Sequence, residues 1–450
     1  MVSFIKQKFH NLISDKKFSE ILTGSAWALG ARVVGTGISL ITSIVVARIY
    51  GSDILGIIAI LNSFLVLITI FTVLGTNTSI LRLIPEHLSK YSPTSAFRVY
   101  RKTQFVVVGV SMITGGGLYF ASGFIADSIF FKPHLRFYFA LAACFIIFQS
   151  LMRLNTAAIR GLRLIRVFAF MQIMPAVGTL VILVPLTIFF YHKDNPIYAT
   201  FVAIAVTALV GAWIMDRMFK QKMKSDDAVS PLSVKKILSI SLPMLMTATM
   251  SFVIGQTGVI MLGMFRPAAD VGYYSIAVHL ASLTAFLLAA INTMSAPKFA
   301  ELYHNQKIDE LFYVAKKSTK LIFWVTSPIL FFLILIGKPA LTLFYGSEFS
   351  VAYWPMVFLT LGQFANSISG STGYFMNMTG NQHVFKNVMV ITALVNVSLN
   401  IFLIPWLGIK GAALTAMFCY VLWNTSLLVY IKQKYGRTIG YFPLFDKCWS

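Results

Sequence analysis

One face of the first apolar segment carries an arginine and a row of hydroxyl side chains. Ser25, Arg32, Thr36, Ser39 and Ser43 follow one another at intervals that place them on one side of a helix. Arg32 lies about ten residues into the segment, or about 15 Å deep at 1.5 Å per residue, which exceeds the reach of a snorkelling side chain. A cation at this depth predicts a water-lined cavity that receives an anionic ligand. The alternative is a structural arginine bonded to carbonyls at a helix end.

The fourth apolar segment repeats this pattern with Gln149, Arg153, Thr156 and Arg160 on one face. Arg153 is about 10 Å from Arg160 along a helix axis. Two interpretations of Arg153 stay open, since its side chain either lines the same cavity or extends to the cytoplasmic surface.

The tenth apolar segment carries the longest polar stripe. Amides and hydroxyls at spacings of three to four residues are suited to bonding sugar hydroxyls, and glycines among them allow a ligand to approach the backbone. The same pattern also serves as contact between membrane helices. The stripe consists of Gln363, Asn366, Ser367, Gly370, Gly373, Tyr374 and Asn377.

These faces belong to apolar segments that are long enough to cross a bilayer as helices. The chain has 450 residues, of which 57% are hydrophobic and 12% are charged, and the interiors of its apolar segments hold no Asp or Glu. The predicted fold is therefore an all-α integral membrane protein with twelve transmembrane helices. The segments lie near 22–48, 54–80, 103–121, 135–159, 167–191, 197–216, 237–264, 272–296, 319–337, 351–377, 388–405 and 409–431.

The net charge of +22 reflects topology rather than nucleic-acid binding. If the N-terminus is cytoplasmic, 29 of the 37 Lys and Arg residues fall on the cytoplasmic side and seven fall outside. This asymmetry predicts that both termini are cytoplasmic. The expected location is the cell inner (plasma) membrane. Residues 1–21 predict an amphipathic helix on the inner surface rather than a cleaved signal peptide, and the basic surplus predicts contact with anionic membrane lipids.

The chain divides into two six-helix halves, 22–216 and 237–431, joined by a polar cytoplasmic linker at 217–236 and followed by a tail at 432–450. The stretches ARIYGSDILGIIAI and GMFRPAADVGYYSIA resemble each other, with Gly56 matching Gly272. Because each half has an even number of helices, the repeats run parallel, as in transporters that rock two lobes about a central site. Generic Gly and Pro punctuation of membrane helices is the alternative.

No residue pattern predicts an enzyme, a metal site or a cofactor. The three cysteines are isolated, and no spacing of His, Cys or acidic residues suits a metal. A membrane glycan polymerase or ligase typically needs a sizeable outer loop, whereas the longest outer connections here have about thirteen residues. We therefore predict no catalytic residue.

The stretches GSAWALGARVVG and VVARIYGSDILGIIAI, in a chain of two six-helix halves, resemble the polysaccharide transporter family. This is the lipid-linked oligosaccharide flippase branch of the multidrug/oligosaccharidyl-lipid/polysaccharide exporter superfamily. The resemblance implies a V-shaped bundle with a cationic central cavity that works by alternating access. It also implies that Arg32 occupies the position of a cavity arginine in related peptidoglycan-precursor flippases. Those relatives have two more helices, so the chain is more similar to the O-antigen or capsule branch.

The cargo that this resemblance implies is a polyprenyl-pyrophosphate-linked glycan, with a glycan polymerase as a further partner. Guanidinium groups bind phosphate through paired, charge-assisted hydrogen bonds. We expect Arg32, together with Arg153, to hold the pyrophosphate while the tenth segment contacts the glycan and the prenyl chain stays in lipid. The main competitor is a multidrug or metabolite antiporter of the same superfamily, although such exporters usually need a membrane carboxylate.

Overall fold

A computed structural model of the protein describes residues 16–221, 232–441 and 443. The described chain is almost entirely helical, with short 3₁₀ or π turns at 125–129, 133–135, 283–285 and 347–352. The α-helices, in chain order, are α1 (Lys16–Val73), α2 (Thr76–Lys90), α3 (Pro93–Phe124), α4 (Arg136–Gly161), α5 (Ile165–Phe189), α6 (Asn195–Lys220), α7 (Val234–Phe265), α8 (Ala268–Ser282), α9 (Phe286–His304), α10 (Ile308–Phe344), α11 (Tyr353–Ser369), α12 (Thr372–Met378), α13 (Gln382–Leu407) and α14 (Ile409–Tyr435).

Eight described helical stretches are long and apolar enough to cross a membrane. They lie in α1, in α3 with the turn after it, in α4 with the turn before it, and in α5, α6, α10, α13 and α14. The prediction of a multi-pass, all-α membrane protein is therefore confirmed. Twelve crossings stay a prediction, as do the sides of the termini. Residues 1–15 of the predicted amphipathic segment lie outside the described residues, and its remaining residues are part of α1.

The helices form two compact units that differ from the predicted halves. The first comprises the described residues of Met1–Thr42, Phe71–Gly116 and Cys144–Met244, and the second those of Ser43–Ile70, Gly117–Ala143 and Leu245–Ser450. Part of α1 therefore packs with the C-terminal portion of the chain. The division into two six-helix repeats stays a prediction.

Glycines with positive φ mark where the predicted first two segments bend and end. Gly51 has φ 83° and ψ 176° and interrupts α1 between the two predicted segments. The predicted segment 54–80 is not one helix, because Leu74 and Gly75 adopt positive φ and separate α1 from α2. Hydropathy did not detect this break, since the break depends on backbone conformation rather than on polarity.

Two further predicted segments are also interrupted. The segment 272–296 is divided by a 3₁₀ turn at 283–285, and the segment 351–377 is divided between α11 and α12. At the second break Gly370 has φ +73°, and a Cβ there would lie 2.0 Å from Oγ1 of Thr319. Glycine is therefore required at this break both for its conformation and for the close approach of α10.

The two glycines matched in the sequence repeat meet in the second unit. A Cβ on Gly56 would lie 1.7 Å from the carbonyl oxygen of Ala268, and a Cβ on Gly272 would lie 2.2 Å from that of Ser52. The two backbones therefore touch without intervening side chains, as small residues allow in membrane proteins. Equivalent positions of the two predicted repeats contact each other at this glycine crossing.

Candidate functional site

The polar face of α1 is divided between the two units. Arg32 is exposed and Thr36 is half-buried in the first unit, whereas Ser43 lies in the second and its Oγ is 3.1 Å from the hydroxyl of Tyr345. The Oγ of Ser39 donates to the carbonyl of Gly35 at 2.9 Å. The structure includes Ser25 in α1 but does not describe its side chain.

Two side chains on the polar face of α4, Arg153 and Gln149, have polar atoms without partners among the described residues. Arg153 is half-buried and has no hydrogen-bond or ion-pair partner among the described residues. One turn away, Gln149 is 7% exposed, and its Oε1 also has no partner among them. Thr156 is satisfied by the carbonyl of Met152 at 2.7 Å. A buried acceptor and an unpaired cation on one face cost free energy unless a ligand or water satisfies them.

Hydrogen bonds on other sides of α4 fix its orientation in the first unit. Asn155 is fully buried, accepts from the hydroxyl of Tyr100 at 2.7 Å and donates to the carbonyl of Ala208 at 3.0 Å. Ser150 is also fully buried, with its Oγ 2.6 Å from Oγ1 of Thr72. Because these contacts join α4 to α3, α6 and α1, rotation of α4 to satisfy Gln149 would break them.

Two amides of the polar stripe of the tenth segment contact α14. The side chain of Gln363 is hydrogen-bonded to Tyr420, and Oδ1 of Asn366 accepts from Asn424 at 3.2 Å. Asn377 is exposed in α12. Contacts between helices therefore account for Gln363 and Asn366 in this conformation, whereas Asn377 is presented at the surface.

The break between α11 and α12 is held by the same network. Asn424 also accepts from Oγ1 of Thr372 at 3.0 Å, so that it bonds both sides of the break. Ser371 is buried, and its Oγ has no partner among the described residues. A Cβ on Gly373 would lie 3.1 Å from the ring of Phe385. Gly370 and Gly373 therefore approach other parts of the protein, which differs from the ligand approach that the sequence predicted.

Three basic residues assigned only to topology bind the C-terminal ends of helices in the second unit. Arg48 donates to the carbonyls of Phe344 at 2.9 Å and of Leu343 at the end of α10. Arg266 donates to the last turn of α13, with 3.2 Å to the carbonyl of Pro405. Cations at these ends satisfy unpaired carbonyls and the negative pole of the helix dipole.

Lys132 does the same at the end of α7. Its Nζ donates to the carbonyl of Arg266 at 2.6 Å and to that of Gly263. Burial lowers the pKa of Lys132, and the Asp270 carboxylate opposes this shift. The charge count placed these three residues among the seven outer basic residues, but the sequence carried no signal for which carbonyls they contact.

The described residues contain no group of three or more His, Cys, Asp or Glu side chains that could hold a metal ion. Two acidic residues of the first unit form surface ion pairs, Asp216 with Arg101 at 2.8 Å and Glu86 with Lys90 at 2.9 Å. The two polar faces therefore provide amide, hydroxyl and guanidinium groups. Such groups are suited to binding an anion and hydroxyl-rich molecules.

Comparisons with known proteins agree with this architecture. A family model described as polysaccharide biosynthesis protein matches residues 45–353. A protein of Haloferax volcanii, the probable low-salt glycan biosynthesis flippase Agl15, is 22% identical over 186 residues. That match spans 40% of this chain and only 39% of the relative.

Solved structures show the same fold over most of the chain. The lipid II flippase MurJ in an inward-closed conformation matches with a TM-score of 0.72 at 15% identity, covering 89% of this chain and 86% of that one. An inward-facing multidrug resistance MATE family transporter of the MOP superfamily matches with a TM-score of 0.64 at 15% identity, covering 92% and 94%. A MOP superfamily transporter from Pyrococcus furiosus matches with a TM-score of 0.62 at 15% identity, covering 92% and 95%.

The likeness to solved structures concerns the fold, while the family model covers more than half of the chain. The family resemblance seen in the sequence is thereby confirmed. This multi-pass membrane protein belongs to the polysaccharide biosynthesis protein family.

Proposed function

We propose that the protein is a flippase that moves a polyprenyl-pyrophosphate-linked oligosaccharide from the cytoplasmic to the outer leaflet by alternating access. The cargo is a repeat unit of an O-antigen, a capsule or an exopolysaccharide. The protein works in the inner membrane with both termini cytoplasmic, and a glycan polymerase that uses the product stays a predicted partner. Family membership supports a role in polysaccharide biosynthesis.

The observation that carries the proposal is the unsatisfied face of α4. Arg153 has a half-buried guanidinium and Gln149, one turn away, has a buried amide oxygen, and neither group has a partner among the described residues. A pyrophosphate supplies the charge that Arg153 lacks, and a sugar hydroxyl supplies the donor that Gln149 lacks. Arg32 adds a second cation in the same unit, carried by α1.

The remaining candidate residues have narrower roles in this proposal. Thr36 and Ser39 extend the polar face that carries Arg32, and Ser25 extends it toward the N-terminus. Asn377 contacts the glycan, while Gln363 and Asn366 do so only when their bonds to Tyr420 and Asn424 exchange for bonds to sugar. These amides are therefore expected to affect glycan preference more than phosphate binding.

The cation roles are tested by measuring translocation of a lipid-linked oligosaccharide into the outer leaflet of proteoliposomes. Arg32→Ala and Arg153→Gln are expected to lower the rate at least tenfold. Arg32→Lys and Arg153→Lys are expected to recover part of it, because charge remains while paired hydrogen bonding is lost. Arg98→Gln is the matched control, because Arg98 is exposed and lies outside both faces. Wild-type rates in Arg32→Ala and Arg153→Gln would disprove both roles.

Gln149→Met separates a binding role from a structural one. Removing an amide whose buried Oε1 has no partner among the described residues is expected to leave the unfolding temperature unchanged or higher, since the desolvation cost of that oxygen disappears. Translocation is expected to fall several-fold in the same variant. A joint loss of stability and translocation would show that Gln149 supports the fold rather than the cargo.

The drug-antiporter alternative predicts a different phenotype. Expression in a sensitised strain would then raise drug resistance, and Arg153→Gln would leave that resistance unchanged. Restoration of glycan export in a flippase-deletion strain, without drug resistance, is the outcome that the proposed function predicts.

A further inference from the structure

A groove in the first unit lies between the beginning of α1 and the beginning of α5, and its cavity volume is about 560 Å³. On α1 it is lined by Trp27, Gly30, Ala31 and Val34, which lie on one face of the helix. Arg32 follows Ala31 by one residue and is not part of this lining. Since Thr36 and Ser39 continue the row of Arg32, α1 presents the groove on one side and its polar face on the other.

The second wall comes from α5. Ala169, Phe170 and Ile173 line it, with Arg166 at the end where α5 begins. Ala169 is buried and forms part of the floor, whereas Phe170 is about half exposed and forms the edge.

A glycine leaves space inside this groove, and the groove ends where the backbones of α1 and α5 come close together. A Cβ on Gly30 would meet no atom within 4 Å. One turn further, a Cβ on Gly35 would lie 3.9 Å from the carbonyl oxygen of Gln172 and from Cα of Ile173. The groove is therefore closed where α1 and α5 touch, and Arg166 lies at the opposite end.

Among the described residues that line the groove, the one charged side chain is Arg166, at the open end. The guanidinium of Arg166 lies 5.9 Å from the centre of the Trp27 ring, a distance at which the cation is attracted to the ring. The first turn of α5 contains no acidic residue, so its dipole adds to the positive potential. Apart from Arg166 and the indole of Trp27, the lining side chains are apolar.

This combination selects one kind of ligand. A free sugar needs several hydrogen-bonding groups, whereas the lining offers only those of Arg166 and Trp27, and a free anion gains nothing from an apolar floor. A lipid phosphate uses both parts, with its chain in the groove and its phosphate at Arg166. The groove is a single channel between two helices. It therefore suits one hydrocarbon chain rather than the two chains of a diacyl phospholipid.

We propose that this groove is a docking site for the carrier lipid, in which the isoprenoid chain lies between α1 and α5 and the phosphate binds Arg166. The proposal rests on the proposed function, because that function supplies a single-chain lipid phosphate. The lining of α1 from Trp27 to Val34 spans about 10 Å, so the groove holds one section of the chain and the bilayer holds the rest. Docking here precedes transfer of the pyrophosphate to the opposite face of α1.

The test measures binding of a fluorescent polyprenyl phosphate without sugar to the purified full-length protein in nanodiscs. Gly30→Leu fills the groove and is expected to weaken binding at least tenfold, with a smaller effect for Gly30→Ala. Arg166→Gln is expected to weaken binding about tenfold. The matched control is Val33→Leu, because Val33 is exposed on the same helix but does not line the groove. Folding is checked by thermal unfolding, and a Cβ at Gly30 has open space rather than a neighbouring atom within 4 Å among the described residues.

Competition identifies the ligand. Unlabelled polyprenyl phosphate is expected to displace the probe, whereas phosphatidylglycerol and inorganic pyrophosphate are expected not to do so at the same concentrations. Equal displacement by phosphatidylglycerol would show a site that binds lipids in general, and displacement by pyrophosphate would show a site for the anion alone. Either result would overturn the proposal, as would unchanged binding in both Gly30→Leu and Arg166→Gln.

The groove and the proposed function fail in different ways. If the wild-type protein translocates lipid-linked oligosaccharide while Gly30→Leu and Arg166→Gln bind the probe normally, the groove proposal fails alone. If the probe binds with the expected sensitivities but no lipid-linked oligosaccharide is translocated, the proposed function fails and the groove remains a polyprenyl phosphate site.

Discussion

At the scale of single residues, α4 carries side chains with hydrogen-bond partners in the described part of the chain and side chains without them, within one helical turn of each other. Asn155 has a protein partner for its oxygen and another for its amide nitrogen, whereas the neighbouring Arg153 has none among the described residues. The sequence predicted the polar face from its spacing. It could not predict which members lack partners, because that depends on what α3 and α6 present to each side of α4.

His87 gives a residue-scale prediction on pH. Its side chain is buried near the start of α3, with Nδ1 2.9 Å from Oγ of Ser95. Burial lowers the pKa of His87, the charges of Lys90 and Lys236 act in the same direction, and Glu86 opposes them. In the unfolded chain His87 therefore binds a proton near its ordinary pKa of about 6.5. In the folded protein the His87 ring stays neutral at this pH. Stability is expected to fall as pH decreases through this value, and to level off below the folded pKa.

The measurement compares unfolding temperatures at pH 7.5 and 5.5 in detergent. The decrease is expected to be smaller in His87→Asn, since Asn keeps a hydrogen-bonding group toward Ser95 but does not titrate. His134→Asn serves as the control, because His134 is exposed. An equal decrease in His87→Asn and in the wild-type protein would refute the assignment.

At the scale of elements, hydropathy located the apolar stretches but not their interruptions. The predicted bounds 135–159 and 409–431 agree with α4 and α14 within a few residues. The breaks at Gly75 and Gly370 were missed, because a positive φ leaves no trace in the mean polarity of a segment. The groove between α1 and α5 was also missed, since small residues at helical spacing are equally common in tight helix contacts.

The glycine crossing gives an element-scale prediction. Gly56→Ala and Gly272→Ala place a Cβ against a carbonyl oxygen of the facing helix, so the helices must separate. Each change is expected to destabilise the protein by roughly 1–3 kcal/mol, as overpacking does. Gly37→Ala in the same helix as Gly56 meets open space and is expected to stabilise by up to about 1 kcal/mol. The measurement is the thermal unfolding of the three variants. Equal stability in all of them would contradict the close backbone contact at the glycine crossing.

At the scale of the whole molecule, the amino-acid composition was sufficient to predict a multi-pass, all-α membrane protein. It was not sufficient to predict the two units, because residues 43–70 and 117–143 of the predicted first half both belong to the second unit. A sequence repeat reflects duplication of a segment, whereas a compact unit reflects which helices pack together. The two need not coincide when matched repeat positions contact each other, as Gly56 and Gly272 do.

The orientation in the membrane is the molecule-scale prediction. In a background without Cys144, Cys419 and Cys448, single cysteines are placed at four exposed positions. A membrane-impermeant thiol reagent is expected to label Lys193→Cys and Ser347→Cys in intact cells, and to label Ser89→Cys and Asn305→Cys only after permeabilisation. The four wild-type residues are exposed in the structure, so weak labelling would not reflect burial. The opposite labelling pattern would invert the predicted direction of transport.

The cations at the ends of α7, α10 and α13 have a consequence for how long cargo dwells at the predicted outer end. Arg48, Lys132 and Arg266 already donate to backbone carbonyls, and a pyrophosphate could recruit them only by leaving those carbonyls unpaired. Among the described residues, Arg153 has no such bond to give up. For the proposed cargo, we therefore expect the phosphate to bind more strongly at Arg153 than at these three cations, which would shorten retention of the product and limit its rebinding.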